Sequence, residues 1–196
     1  MKTQEAILTR RSTRRFRDKE VDRALLEKII EAGRYAPSGG NSQTCRFFVI
    51  TDKEVLNQLK DITCNAFSRM EIYEGIYPSL KTSITLSKRG NYVFYYNAPC
   101  LIVVANRKDY GNNIADTAVA IENMMILANE FDLGSCWVNQ LKWLNENEEL
   151  LRLFEKYGLK QDERIYGSMI LGYPDTADGL PERRQVERKG NEVIYI

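Results

Sequence analysis

The stretch DTAVAIENMMILANEF, residues 116–131, is apolar nearly all round a helical wheel. Only Asp116, Thr117, Glu122, Asn123, Asn129 and Glu130 interrupt its run of alanine, valine, isoleucine, leucine, methionine and phenylalanine. A helix of this kind is buried on several sides, so it is either the central helix of a layered domain or a helix that shares neighbours with a second subunit. Pattern alone does not separate the two.

Working outward, PCLIVVAN (99–106) reads as a central strand and GSCWV (134–138) as a short extended segment. SMILGYP (168–174) is a second buried strand ending in a turn, and between them Asn145 and Glu148 can cap the helix NENEELLRLFEKYG. Upstream, TQEAILTR (3–10) has the pattern of a short helix, and Asp22 can cap a longer one, DRALLEKIIEAGRYA. RFFVIT (46–51) is a buried strand, and Thr51 with Glu54 forms a capping box for DKEVLNQLKDI. Residues 62–97 show no clean period and read as short helices over a pocket or as a lid. The tail PERRQVERKGNEVIYI is polar and then strand-like, so residues 182–196 form a C-terminal arm. Helices interleaved with four or five strands, without strict alternation, indicate one α+β layered domain over 1–196 rather than a doubly wound sheet.

Composition limits the function. The 196 residues carry 28 Lys and Arg against 27 Asp and Glu, a balance that argues against a nucleic-acid partner. No apolar run is long enough for a membrane span, and the N-terminus lacks a signal-peptide core, which gives a cytoplasmic expectation. The four cysteines are widely spaced and fit reduced packing residues. Histidine is absent, which removes the usual Ser-His-Asp and Cys-His catalysis and histidine metal sites. An enzyme of this composition takes its chemistry from a bound cofactor.

Two segments carry that expectation. RRSTRRF (10–16) offers Arg10, Arg11 and Arg14, whose guanidinium groups can converge on a phosphate beside Ser12 if the segment is a helix end or tight turn. Arg15 and Arg17 then face solvent. The plain alternative is a surface cluster. PSGGNSQ (37–43) places flexible backbone, hydroxyls and two amides where the edge of a planar heterocycle could be read, or it is an ordinary helix-to-strand connection. Neither a dinucleotide-binding GxGxxG nor a P-loop is present.

Taken together these residues resemble the nitroreductase-like family of FMN-dependent oxidoreductases. The resemblance rests on Arg10-Arg11-Ser12 with Arg14 and Phe16, on Ala36-Pro37-Ser38 with Asn41 and Gln43, on the helix from Asp116 followed by LGSCW, and on LGYP before Arg183-Arg184. It implies a three-layer αβα sandwich with a mixed, mainly antiparallel sheet. It also implies an intertwined homodimer with shared flavin sites, and electrons passed from NADH or NADPH through flavin N5 to nitroaromatic or quinone-like acceptors in alternation, without a membrane. Arg10, Arg11, Ser12 and Arg14, with Arg184 or Arg183, would hold the FMN phosphate. Pro37, Ser38, Gly39, Asn41 and Gln43 would contact the flavin from the partner subunit. Cys136, Trp137, Val138, Asn139 and Gln140 would run beside the ring, and Asn65 would approach its pyrimidine side. The chain departs from the family in Thr44-Cys45, where relatives have Pro-Trp, and in Asn139-Gln140, where relatives often have Glu-Gly. Two rivals remain: a specialised FMN-dependent dehydrogenase on the same fold, and a non-catalytic module that uses the arginines to bind an anion.

Overall fold

Alternation along one strand sorts the core into two. In the computed structural model, which describes residues 2–196, β2 (Cys100–Arg107) is the most deeply buried strand. Cys100, Ile102 and Val104 pack into one apolar cluster, and Leu101, Val103 and Ala105 into another on the opposite face. The first cluster is shared with α2 (Arg23–Arg34) and α5 (Asn113–Glu130) through Leu26, Ile29, Ile121 and Met124. The second is shared with α3 (Lys53–Ser68), α4 (Pro78–Lys88), α6 (Gln140–Trp143) and α7 (Glu148–Glu155) through Leu59, Phe67, Ile84, Leu141 and Phe154. Each fully buried side chain of this kind contributes about 1.5–3 kcal/mol. The result is the three-layer αβα arrangement.

Between the layers, β1 (Arg46–Ile50), β2, β4 (Glu163–Gly172) and β3 (Gly134–Val138) lie in the order β1-β2-β4-β3, each adjacent pair antiparallel. A parallel bridge from Ser12 to Ser135 on the outer edge of β3 makes the sheet mixed. Helix α5 crosses the sheet closely at Gly167, where a Cβ would lie 2.6 Å from Ile121 Cδ1 and 3.0 Å from Thr117 Cγ2. The helix finds its main neighbours in its own chain, namely α2, α1 (Thr3–Thr9) and three strands, yet Ile114 and Val119 stay exposed. Among the described residues no helix is long and apolar enough to cross a membrane.

Several local expectations need correction. The N-cap of α3 is Asp52, whose carboxylate accepts from the N–H groups of Glu54 and Val55, and Thr51 lies one residue too early. The cap of α7 is Asn147, accepting from Leu150 N–H, rather than Asn145. Strand β4 begins at Glu163, five residues before the apolar run, because antiparallel pairing with Asn106 and Arg107 extends it through polar positions. The strand-like end of the arm meets no sheet edge within its own chain, so no ladder forms and Val193, Ile194, Tyr195 and Ile196 are exposed. Asp22 does cap α2, accepting from Ala24 N–H. Residues 62–97 comprise the end of α3, the helix α4 and turns on either side of it, packed over the second core cluster with Phe67, Ile84 and Phe94 inside.

The corrected cap gives a direct check. Asp52→Ala should cost about 1 kcal/mol in chemical denaturation, while Thr51→Ala should stay near wild type. Equal losses would return the cap to Thr51.

Candidate functional site

Arg10 caps the C-terminal end of α1, its N–H donating to Ala6 O, and residues 11–16 form neither helix nor tight turn. They run extended beside β3, held by Thr13 N–H donating to Ser135 O at 2.9 Å and by an antiparallel bridge from Phe16 to Pro174. In extended backbone each residue advances about 3.3 Å, which carries Arg14 roughly 10 Å along the chain from Arg11. The three arginines divide into two groups.

Arg10 and Arg11 form the first group, near Arg184 and Arg188 of the arm. The Arg11 guanidinium is held below its ordinary pKa, first by partial burial and then by the positive charges of Arg188, Arg10 and Arg184, with Glu182 opposing. Its terminal nitrogens donate to the carbonyls of Arg10 and Leu8 at the end of α1, and its Nε is buried without a partner. Arg10 has one long contact, 3.8 Å to Glu122. Such a cluster of cations favours a nearby negative charge. Arg183 does not belong to it. That side chain donates to Asn129 Oδ1 at 3.2 Å, to Asn129 O, and to Asp132 Oδ1 at 2.6 Å, closing the C-terminal end of α5. Of the pair Arg183-Arg184, Arg184 is the one near Arg11, and it pairs with Glu182 at 3.0 Å.

Arg14 belongs to the second group. Together with Arg15 and Phe16 it lines a cleft of about 680 Å³ whose floor is Cys136, Trp137, Val138, Asn139 and Gln140. Tyr92, Tyr96, Trp143 and Leu86 complete apolar and aromatic walls. The Arg14 guanidinium lies 5.9 Å from the centre of the Tyr96 ring. Arg15 is solvated, as expected, near Asp175, and Arg17 donates to Thr176 O.

Hydrogen bonds fix the floor in place. Ser168 Oγ donates to Val138 O at 2.8 Å, and Trp137 Nε1 donates to Asn139 Oδ1 at 2.7 Å. Gln140 is buried, with Nε2 2.6 Å from Tyr92 Oη and 3.3 Å from Ser83 Oγ, while its Oε1 has no partner. Burial raises the Tyr92 phenol pKa, against the lowering effect of its hydrogen bonds, so the hydroxyl that accepts from Gln140 Nε2 stays neutral. Of the cysteines, Cys136 is buried in the floor and Cys100 lies in the core with its thiol pushed up to about 12 by burial, and all four are free.

The loop 37–43 is absent from the cleft lining. It forms a 3-10 turn at Gly39–Asn41 near the start of α5, and Pro37, Ser38 and Gln43 line a separate small pocket of about 110 Å³ with Asp116. Asn65, exposed on α3, does not line the cleft either. A single chain therefore brings together residues 136–140 with Arg14, and Arg10 with Arg11 and Arg184, but not the loop with either. Sequence reading missed Arg188, the cleft walls Tyr92, Tyr96 and Trp143, and Tyr110 beneath the loop. Arg188 sat in a polar tail without a pattern, and the aromatic residues come from segments with no readable period.

A family model described as the nitroreductase family matches residues 7–173. A crystal structure of a nitroreductase with bound FMN from Bacteroides fragilis is 29% identical, with a TM-score of 0.86 over 100% of both chains. An FMN-bound nitroreductase from Desulfitobacterium hafniense, at 22% identity and a TM-score of 0.81 over 100% of this chain and 99% of its own, shares the fold. A protein of Archaeoglobus fulgidus whose name carries the words NADH dehydrogenase and NAD(P)H nitroreductase is 26% identical over 168 residues, covering 86% of this chain and 83% of its own.

Proposed function

The chain belongs to the nitroreductase family, and from that premise we propose that it is an FMN-dependent oxidoreductase taking electrons from NADH or NADPH and delivering them to nitroaromatic or quinone-like acceptors. The observation that carries this reading is the path of residues 10–16. One extended segment leads from a cluster of poorly compensated guanidinium groups into an aromatic-walled cleft. A molecule with a phosphate at one end and a planar ring at the other fits such a path. The orphaned Arg11 Nε and the open cleft above β3 agree with FMN as that molecule.

When bound, FMN supplies the two-electron relay between nicotinamide and acceptor. The polypeptide supplies position and environment. Arg10, Arg11 and Ser12, with Arg184 and Arg188 of the arm, would hold the phosphate by charge-assisted hydrogen bonds. Arg14 would place a positive charge beside the ring, and Cys136 to Gln140 would form the surface under it. Phe16, Tyr92, Tyr96 and Trp143 would exclude water from the reacting face. Pro37, Ser38, Gly39, Asn41 and Gln43 would serve the site of a second subunit in a homodimer, since they do not line the cleft over β3 in their own chain. The exposed Ile114, Val119 and the arm residues Val193 to Ile196 offer that dimer its apolar surface. The whole of 1–196 would act as one FMN-binding domain.

Flavin absorbance and anaerobic reduction test the reading. The purified protein should be yellow, and NADH or NADPH should bleach it without an added acceptor. Steady-state double-reciprocal plots should be parallel, because donor and acceptor would use one cleft in turn. A colourless protein that takes up no added FMN would end the proposal.

A further inference from the structure

Three positions in the loop between α2 and β1 hold left-handed backbone, which glycine takes freely and other residues resist. Gly40, Asn41 and Gln43 have φ of 57°, 54° and 50°. Asparagine tolerates this region better than most residues, but glutamine adopts it at a cost and only where the surroundings over-determine it. Those surroundings are visible. Asp116, 5% exposed in the first turn of α5, accepts from Gly39 N–H at 3.2 Å through Oδ1. The Tyr110 hydroxyl lies 2.9 Å from Asp116 Oδ2, 3.0 Å from Gly39 O and 2.9 Å from Ser42 Oγ. Its single proton serves one acceptor at a time, and Ser42 can donate back to it. Gly39 leaves no room for a side chain, since a Cβ would lie 2.1 Å from Asn112 Nδ2 and 2.6 Å from Tyr110 Oη. Above this base, Ser38 Oγ accepts from Gln43 N–H at 3.1 Å, and Gln43 Nε2 donates to Asn41 Oδ1 at 3.0 Å. The two amides are thus locked to one another. The Asn41 N–H2 donor and the Gln43 carbonyl acceptor face outward, with no partner among the hydrogen bonds of the described residues.

We propose that Tyr110 and Asp116 are positioning residues for cofactor binding, fixing the Gly39–Gln43 loop in its binding form before the flavin arrives. The inference rests on the reading that this loop contacts FMN, and it adds the two residues that make the contact rigid. A loop ordered in advance gives up little conformational entropy on binding, so its amides contribute their full hydrogen bonds. Neither residue touches the ligand. Asp116 acts through Gly39, and Tyr110 through Gly39 and Ser42.

Tyr110→Phe keeps the ring and removes the hydroxyl that joins three groups. FMN affinity, read by quenching of flavin fluorescence, should fall by about tenfold, the scale of ordering roughly one residue on binding. Amide exchange at residues 39–43 of the FMN-free protein should quicken, with its melting temperature close to wild type. Asp116→Asn, which keeps an acceptor for Gly39 N–H, should lose less. If Tyr110→Phe fails to fold, Ser42→Ala gives the same two readouts at smaller amplitude. Wild-type affinity in Tyr110→Phe or, failing that, in Ser42→Ala, overturns this inference alone. A wild-type protein that takes up no FMN overturns the reading beneath it as well.

Discussion

With Arg10 and Arg11 both replaced by alanine, the protein should hold FMN at least about a hundredfold more weakly than wild type, since each lost charge-assisted phosphate contact is worth roughly tenfold. The expectation follows from the first arginine group. Burial, and after it the charges of Arg188, Arg10 and Arg184, lower the Arg11 pKa, with Glu182 opposing. Without an anion these charges repel one another, and a phosphate dianion relieves that repulsion as it binds. Removing the two arginines therefore removes both contacts and the reason for the contacts. Arg14→Ala should behave differently. It stands at the cleft over Tyr96, so its loss should alter the visible spectrum or reduction potential of the bound flavin more than the phosphate grip. Isothermal titration with FMN and with inorganic phosphate separates the two roles. If the double variant binds FMN like wild type, the cluster is a surface feature and the phosphate assignment fails.

The division among the arginines also shows what a sequence can and cannot carry. Residue types were legible: a run of arginines around a serine announces an anion, and Leu101, Val103 and Ala105 against Cys100, Ile102 and Val104 announce a strand buried on both faces. The conformation of the run was not. Whether Arg10 to Phe16 is a turn or an extended edge is decided by Ser135 and Pro174, more than a hundred residues away, and nothing local records that pairing. The same reason accounts for the caps. Asp52 and Thr51 both suit an N-cap, and the choice depends on where β1 ends against β2. The cleft walls were harder still. Tyr92, Tyr96 and Trp143 line one cavity from a turn-rich segment and a four-residue helix, neither long enough to show a period. The clamp under the loop has no sequence signature, because Tyr110 and Asp116 reach Gly39 across the fold.

Mixing two defective variants should restore flavin sites that neither has alone. An Arg10→Ala protein keeps a sound loop and an Asn41→Ala protein keeps a sound arginine cluster, so a heterodimer of the two has one intact site and one doubly damaged site. With random exchange half the dimers are mixed, and about a quarter of all sites should regain tight FMN binding. The structure motivates the experiment because the loop 37–43 does not line the cleft over β3 within one chain. The apolar arm points the same way: Val193 and Ile194 are 73% and 75% exposed, and a chain leaves such residues in water only at a cost that a partner can remove. Folding, association and cofactor binding should then be linked. FMN at a hundredfold excess over its dissociation constant should stabilise the wild-type dimer by about 2.7 kcal/mol, and the recovered sites in the mixture should show the same rise in melting temperature. A protein that sediments as a monomer while carrying one FMN per chain, or a mixture with no recovery after subunit exchange, would mean that each chain completes its own site. The loop would then be a connection held by Tyr110 and Asp116 for the sake of the fold.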